Sequence, residues 1–151
     1  MISRYEQFTF YVSGIHRNIQ RIERMVMDQR GYRGAYAQYL AAMLRHPQGV
    51  TAAQLCELCE KDKAAVSRAM SEMIEKGLVR REGVNGYRAL LFLTEDGQKA
   101  AAHVRTQAEV AVGAAGKCLS DAEREALYQA LDRLYHNLSD IAENGFLNDG
   151  E

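Results

Sequence analysis

Lys63, Ala64, Ser67, Arg68 and Ser71 recur at the spacing of one helical face. Together they have the chemistry of a surface that touches nucleic acid. Small residues let a backbone come close, hydroxyls bond phosphates or base edges, and the Arg68 guanidinium suits guanine or phosphate. Three further arginines, Arg80, Arg81 and Arg88, follow within twenty residues. Such groups recognise a partner and leave its covalent bonds alone. The chain has no phosphate-cradling glycine loop, no Gly-x-Ser-x-Gly and no His-Glu-x-x-His. It is therefore read as a binding protein rather than an enzyme, with no cofactor and no metal.

The elements that would carry these residues follow from periodicity. Phe8, Tyr11, Val12, Ile15, Ile19, Ile22 and Val26 mark a long helix over about residues 3–30, which Gly31 and Gly34 end. A second helix, about 35–45, carries Tyr36, Tyr39, Leu40, Met43 and Leu44 and stops before Pro47. Thr51 and Gln54 form a capping-box pair that starts a short helix at Ala52. Asp62 can cap the next helix, which runs to about Lys76 and closes at Gly77. Its Val66, Met70 and Met73 form an inward stripe opposite the Lys63–Ser71 face. Residues 78–84 and 87–93 alternate as strands around Asn85-Gly86, the dipeptide that favours a tight hairpin. Thr94 then caps a long helix, and Ser120 with Glu123 caps a last one bearing Leu127, Leu131, Leu134, Leu138 and Ile141. The expected fold is mainly α with a small β-hairpin wing: a winged helix-turn-helix over about 50–94, flanked by long dimerisation helices over about 3–45 and 95–143, in one domain spanning 1–151.

A net charge of −1 argues at first against a polyanionic partner. The charge is unevenly spread. Residues 1–45 carry a balance of +4, residues 46–94 of +1 and residues 95–151 of −6. What nucleic acid needs is a basic face, and the front of the chain can supply one. Three cysteines, an odd number, point to a reducing compartment rather than a disulfide framework. The first residues have neither the basic start nor the apolar run of a secretion signal, and no stretch is apolar enough to span a membrane. The expected location is the cytoplasm.

The stretches Val66-Ser67-Arg68, Glu75-Lys76-Gly77-Leu78-Val79-Arg80-Arg81 and Leu93-Thr94-Glu95-Asp96-Gly97 resemble the core of the MarR family of transcriptional regulators. The resemblance covers nearly the whole chain. It implies a homodimer in which the first and last helices of two chains interleave, and a near-palindromic double-stranded operator. It also implies a regulator, most simply a repressor, that a small aromatic ligand releases from DNA. The DNA-contacting set is then Lys63, Ala64, Ser67, Arg68, Ser71, Arg81 and Arg88. Members of the family usually carry an Asp-x-Arg or Asp-Arg-Arg element at the wing tip, where this chain has Asn85-Gly86-Tyr87-Arg88.

For a small ligand, Tyr11, Ile15, Tyr36, Tyr39 and Met43, with Phe8 beside them, can line a cavity, and His16 or Arg17 can meet a carboxylate. Aromatic residues at helical spacing are more often core than ligand box. Cys56-Glu57-Leu58-Cys59 invites a thiol- or metal-responsive reading, but its cysteines lie on an apolar helical face and no second cysteine pair completes a zinc site. Cys118 and the four histidines stand apart. A third alternative is a dimeric winged-helix adaptor that no longer binds DNA.

Overall fold

The computed structural model describes residues 3–83 and 88–146. The Asn85-Gly86 turn expected from the sequence lies outside the described residues. In chain order the elements are α1 (Arg4–Gln29), α2 (Tyr36–Leu44), α3 (Ala52–Cys59), α4 (Lys63–Glu75), β1 (Val79–Glu82), β2 (Leu90–Leu93), α5 (Glu95–Ala115) and α6 (Asp121–Asn144). They fall into two compact units, Met1–Val112 and Gly113–Glu151. No helix among the described residues is long and apolar enough to cross a membrane.

The first unit is built around α2. This nine-residue helix buries Tyr36, Ala37, Tyr39, Leu40, Ala42 and Met43, so it is apolar on nearly every side and sits at the centre of the core. Met27 from α1, Leu55 from α3, Val66, Met70 and Met73 from α4, and Val104 from α5 pack into the same cluster. Helix α1 contributes mainly through its C-terminal end, where Val26 and Met27 are buried. Further back along its stripe, Phe8, Tyr11, Val12 and Ile15 are exposed.

The wing is a two-stranded antiparallel hairpin whose register pairs Val79 with Leu93, Arg80 with Phe92, Arg81 with Leu91 and Glu82 with Leu90. The residue before the α3 cap adds a third, minimal strand: Val50 and Leu91 exchange both backbone hydrogen bonds, at 3.0 and 2.8 Å. This ladder ties the start of the helix-turn-helix to the wing.

Two motifs find a physical cause in the joints. Helix α4 ends in a Schellman turn, with the Leu78 N–H donating to the Met73 carbonyl at 2.9 Å and the Gly77 N–H to that of Ile74 at 3.0 Å. Gly77 takes the left-handed conformation the turn requires, φ +73°. Leu78 and Met73, the two side chains this motif brings together, are both fully buried. At the far end of the wing, the Thr94 hydroxyl accepts from the Gly97 N–H at 3.0 Å and donates to the Gly77 carbonyl at 2.5 Å, while the Thr94 N–H donates to Leu78 O at 3.0 Å. Gly97 lies so close to Leu78 that a Cβ there would stand 2.0 Å from its carbonyl oxygen. Leu-Thr-x-x-Gly is thus a joint: threonine caps α5 and ties it to the end of α4, and glycine leaves room for the approach.

The second unit contains the end of α5, a 3₁₀ turn over Gly116–Cys118, and α6. The capping box of α6 is formed: the Ser120 hydroxyl accepts from the Glu123 N–H at 3.3 Å, and the Glu123 carboxylate accepts from the Ser120 N–H at 2.8 Å. The Arg124 guanidinium donates to the Gly116 carbonyl at 2.9 Å. Helix α6 has no buried residue. Its Leu127, Leu131, Leu134 and Leu138, spaced four, three and four apart, are all exposed.

Candidate nucleic-acid interface

The turn between α3 and α4 is three residues long and sharp because of a left-handed residue that is not glycine. Glu60, at φ +51°, caps α3, and the Lys61 N–H donates back to the Cys56 carbonyl at 3.0 Å. Asp62 then starts α4 by accepting from the Ala65 N–H at 2.7 Å. Both helix starts in this motif carry the caps their sequence signals, and Thr51 with Gln54 form a reciprocal capping box at α3.

Helix α4 divides as its periodicity requires. Val66, Met70 and Met73 face the core, while Lys63, Ala64, Ser67, Arg68 and Ser71 are exposed. The ridge is flanked by two clefts. On the wing side a mostly apolar cleft of about 500 Å³ has Ala52, Met70, Ala89 and Leu91 in its walls and Lys63, Ser67 and Arg81 around them. On the other side a cleft of about 420 Å³ opens between α1, α2 and α4, with Arg24, Arg33, Lys61, Arg68 and Glu72 among its lining. The ridge therefore projects between two clefts: Lys63, Arg81 and Glu57 are the charged residues of the first, and cations outnumber the single acid, Glu72, in the second.

The wing arginines are not equivalent. Successive strand residues point to opposite faces. Arg81 lies two residues beyond buried Val79 and lines the cleft shared with Lys63 and Ser67. Arg80 points the other way: its guanidinium stacks 4.4 Å from the Phe92 ring centre and pairs with Glu82. Arg88 is exposed in the turn two residues before β2.

One feature of the site has no local sequence signal. The Arg33 guanidinium donates to both oxygens of Glu72, at 2.9 and 2.8 Å, and the Tyr36 hydroxyl donates to Glu72 at 2.6 Å. Residues some forty positions apart thereby brace α4 against the start of α2. The Tyr36 hydrogen bond, followed by that from Arg33, holds the Glu72 carboxyl below its usual range. Burial, followed by the bond to Glu72, pushes the Tyr36 phenol up to about 12.

Among the described residues, those expected to hold a small ligand divide between the core and the surface. Tyr36, Tyr39 and Met43 are core residues, each 3% exposed or less. Tyr11 and Ile15 are exposed on α1, where Tyr11 packs edge-on against Phe10, and His16 is exposed beside them. The physical reason is that α2 is the central core helix, so its aromatic residues are consumed in packing. A separate cleft of about 530 Å³ lies between α1, α2 and α5, with Glu23, Arg45, Leu40 and Val104 among its lining. Burial raises the Glu23 carboxyl there, while the charges of Arg45 and His16 oppose the shift.

Cys56 and Cys59 are half-buried against the core, as their apolar face suggests. The Cys59 thiol donates to the Gln38 carbonyl at 3.8 Å, and burial pushes its pKa up, away from the thiolate. Cys118 is exposed. Among the described residues no group of three or more His, Cys, Asp or Glu is placed to hold a metal ion.

Residues 30–86, which contain the whole helix-turn-helix and the first strand of the wing, match the model of the MarR family. No curated protein matches the chain. Among solved structures, a MarR transcriptional regulator from Methanosarcina mazei Go1 is similar at a TM-score of 0.76 and 21% identity, over 92% of this chain and 94% of that one. A MarR-family regulator from Silicibacter pomeroyi gives 0.72 and 20%, over 90% and 92%. A putative MarR-family regulator from Listeria monocytogenes, solved in complex with a 26mer DNA, gives 0.69 and 23%, over 92% and 95%. At these identities the likeness establishes the fold, mainly helical with a hairpin wing. These three solved proteins are transcriptional regulators.

Proposed function

Taking the chain as a winged-helix protein of the MarR family, we propose that it is a cytoplasmic, homodimeric regulator that binds double-stranded DNA and represses transcription. The observation that carries this reading is the exposed ridge of Ala64, Ser67, Arg68 and Ser71 between two clefts lined with Lys63, Arg81, Lys61 and Arg68. A helix about 10–12 Å across fits a major groove about 12 Å wide. In that seat Ser67, Arg68 and Ser71 address base edges and phosphates, Ala64 permits close approach, and Lys63, Arg81 and Arg88 meet the backbone on the wing side.

Homodimerisation is supported by two apolar stripes that the described chain leaves exposed. In α1, Phe8, Val12 and Ile15 begin a four-three repeat, and in α6 Leu127, Leu131, Leu134 and Leu138 continue one. Such spacing is the pattern of helices that pack on other helices, and apolar surface of this extent needs a partner. A second copy supplies both stripes at once. Two recognition helices related by a twofold axis then call for a near-palindromic operator.

Release by a small aromatic ligand finds its support in the wing-side cleft. Apolar walls beside Lys63 and Arg81 suit a flat, anionic ring, and a ring seated there occupies residues the DNA needs. Fluorescence anisotropy with the DNA flanking its own gene tests the reading. Binding should prefer one sequence, weaken steeply with salt, and fall at least tenfold in Arg68→Ala, while light scattering reports a dimer. A winged-helix adaptor would keep its protein partner in Arg68→Ala and bind no duplex.

A further inference from the structure

The cleft on the side of α4 away from the wing holds cations to which the reading above assigns no contact with DNA. Arg24 comes from α1, Arg33 from the α1–α2 connection and Lys61 from the turn before α4, and they share the cleft with Arg68. The single carboxylate among its lining is Glu72. Its oxygens already accept two bonds from Arg33 and one from Tyr36, so its charge is matched within the fold. Arg24 and Lys61 are exposed, and the salt bridges of the described residues engage neither. The cleft is therefore a basic pocket whose one acid is neutralised from inside.

Its position says what anion it faces. The major groove is about as wide as the helix that fills it, so both of its phosphate rims run along the flanks of a seated recognition helix. Lys63 and Arg81 occupy one flank of α4, and this cleft occupies the other. We infer that Arg24 and Lys61 form a second backbone clamp, gripping phosphodiesters on the rim opposite the wing. Arg33 acts as a positioning residue that fixes the Glu72 carboxylate in the cleft wall and matches its charge. The inference rests on the DNA-binding reading and extends it to residues that touch no base.

The clamp predicts a signature distinct from base readout. Each phosphate contact contributes about 0.9 to the slope of log K against log salt, which near ~0.15 M salt is roughly a fivefold change in affinity. Arg24→Gln and Lys61→Gln, each confirmed folded by circular dichroism, should lower the slope by about 1 and weaken binding roughly fivefold on every duplex alike. Arg105→Gln, on α5 and paired with Glu109, serves as the matched charge control and should change neither. Unchanged slopes in folded Arg24→Gln and Lys61→Gln, or a loss confined to one sequence, would overturn the clamp while leaving the DNA reading intact. Failure of the unaltered protein to bind any duplex strikes the DNA reading itself. A third arm uses inorganic phosphate: wild-type DNA slopes in Arg24→Gln, together with lost thermal stabilisation by millimolar phosphate, would assign the cleft to a small phosphorylated ligand and refute the backbone clamp.

Discussion

Helix α5 contains two glycines whose substitution by alanine should act in opposite directions. At Gly97 the added methyl carbon would lie 2.0 Å from Leu78 O, 3.0 Å from its carbonyl carbon and 3.3 Å from a Leu93 methyl. The first two are backbone atoms and cannot swing aside. Relief to the roughly 3.3 Å of a tolerable carbon–oxygen contact moves the two segments apart by more than about 1 Å. That displacement lengthens the Thr94 N–H bond to Leu78 O and the Thr94 hydroxyl bond to Gly77 O, now 3.0 and 2.5 Å. Overpacking costs about 1–3 kcal/mol and each weakened hydrogen bond about 1 kcal/mol, against a gain of about 1 kcal/mol for alanine over glycine in a helix. The net loss is about 3 kcal/mol, or roughly 6–12 °C in Tm for a chain of this length. At Gly113 an added Cβ meets nothing within 4 Å, so Gly113→Ala should leave Tm unchanged or raise it by a few degrees. Thermal melts by circular dichroism at one fixed protein concentration compare the two, since association shifts Tm by mass action. A Gly97→Ala protein as stable as wild type would refute the reasoning.

The brace on α4 makes stability depend on acid. Because the folded state holds Glu72 below its ordinary value, its contribution is complete at neutral pH and is lost as pH falls below about 4.5 through the depressed value. Urea titrations from pH 7 to 3 should show that part of the acid sensitivity vanish in Glu72→Gln; an identical pH profile would count against the brace. Tyr36 works at the other extreme: its folded value near 12 stabilises the fold below pH 10 and loses that effect as pH climbs toward 12. Arg81→Ala should weaken DNA binding about tenfold, whereas Arg80→Ala, which removes a stack on Phe92, should lower Tm by a few degrees with a smaller effect on binding. Reaction with a disulfide reagent should modify Cys118 rapidly and Cys59 only on the timescale of unfolding; rapid labelling of Cys59 would revive the thiol-sensor reading.

The parts of the fold that could be read from the chain are those set by near neighbours. Thr51, Asp62 and Ser120 cap their helices through bonds to residues three positions on, so each signal lies in one short window. The buried stripe of α4 follows from its period alone. The strands are shorter than the alternation of 78–84 and 87–93 suggests. At the first of them Leu78 is taken by the Schellman turn, leaving Val79 to begin the ladder. Contacts between distant segments stayed hidden. Nothing near Arg33 or Tyr36 names Glu72 as their partner, and nothing near Val50 announces its bridge to Leu91. The exposed face of α4 was legible because it is what the buried stripe of an amphipathic helix leaves over. The residues expected to line a ligand cavity divide between core and surface, because aromatic side chains at helical spacing look alike in a core and in a cavity wall.

The claim that α4 reads DNA as one of a symmetric pair is tested most directly by hydroxyl-radical footprinting on the DNA flanking the gene. Two protected patches centred one helical turn apart, roughly 10–10.5 bp, and lost together in Arg68→Ala, are the expected result. Uniform protection without sequence preference, or none at protein concentrations where the dimer is intact, would contradict it.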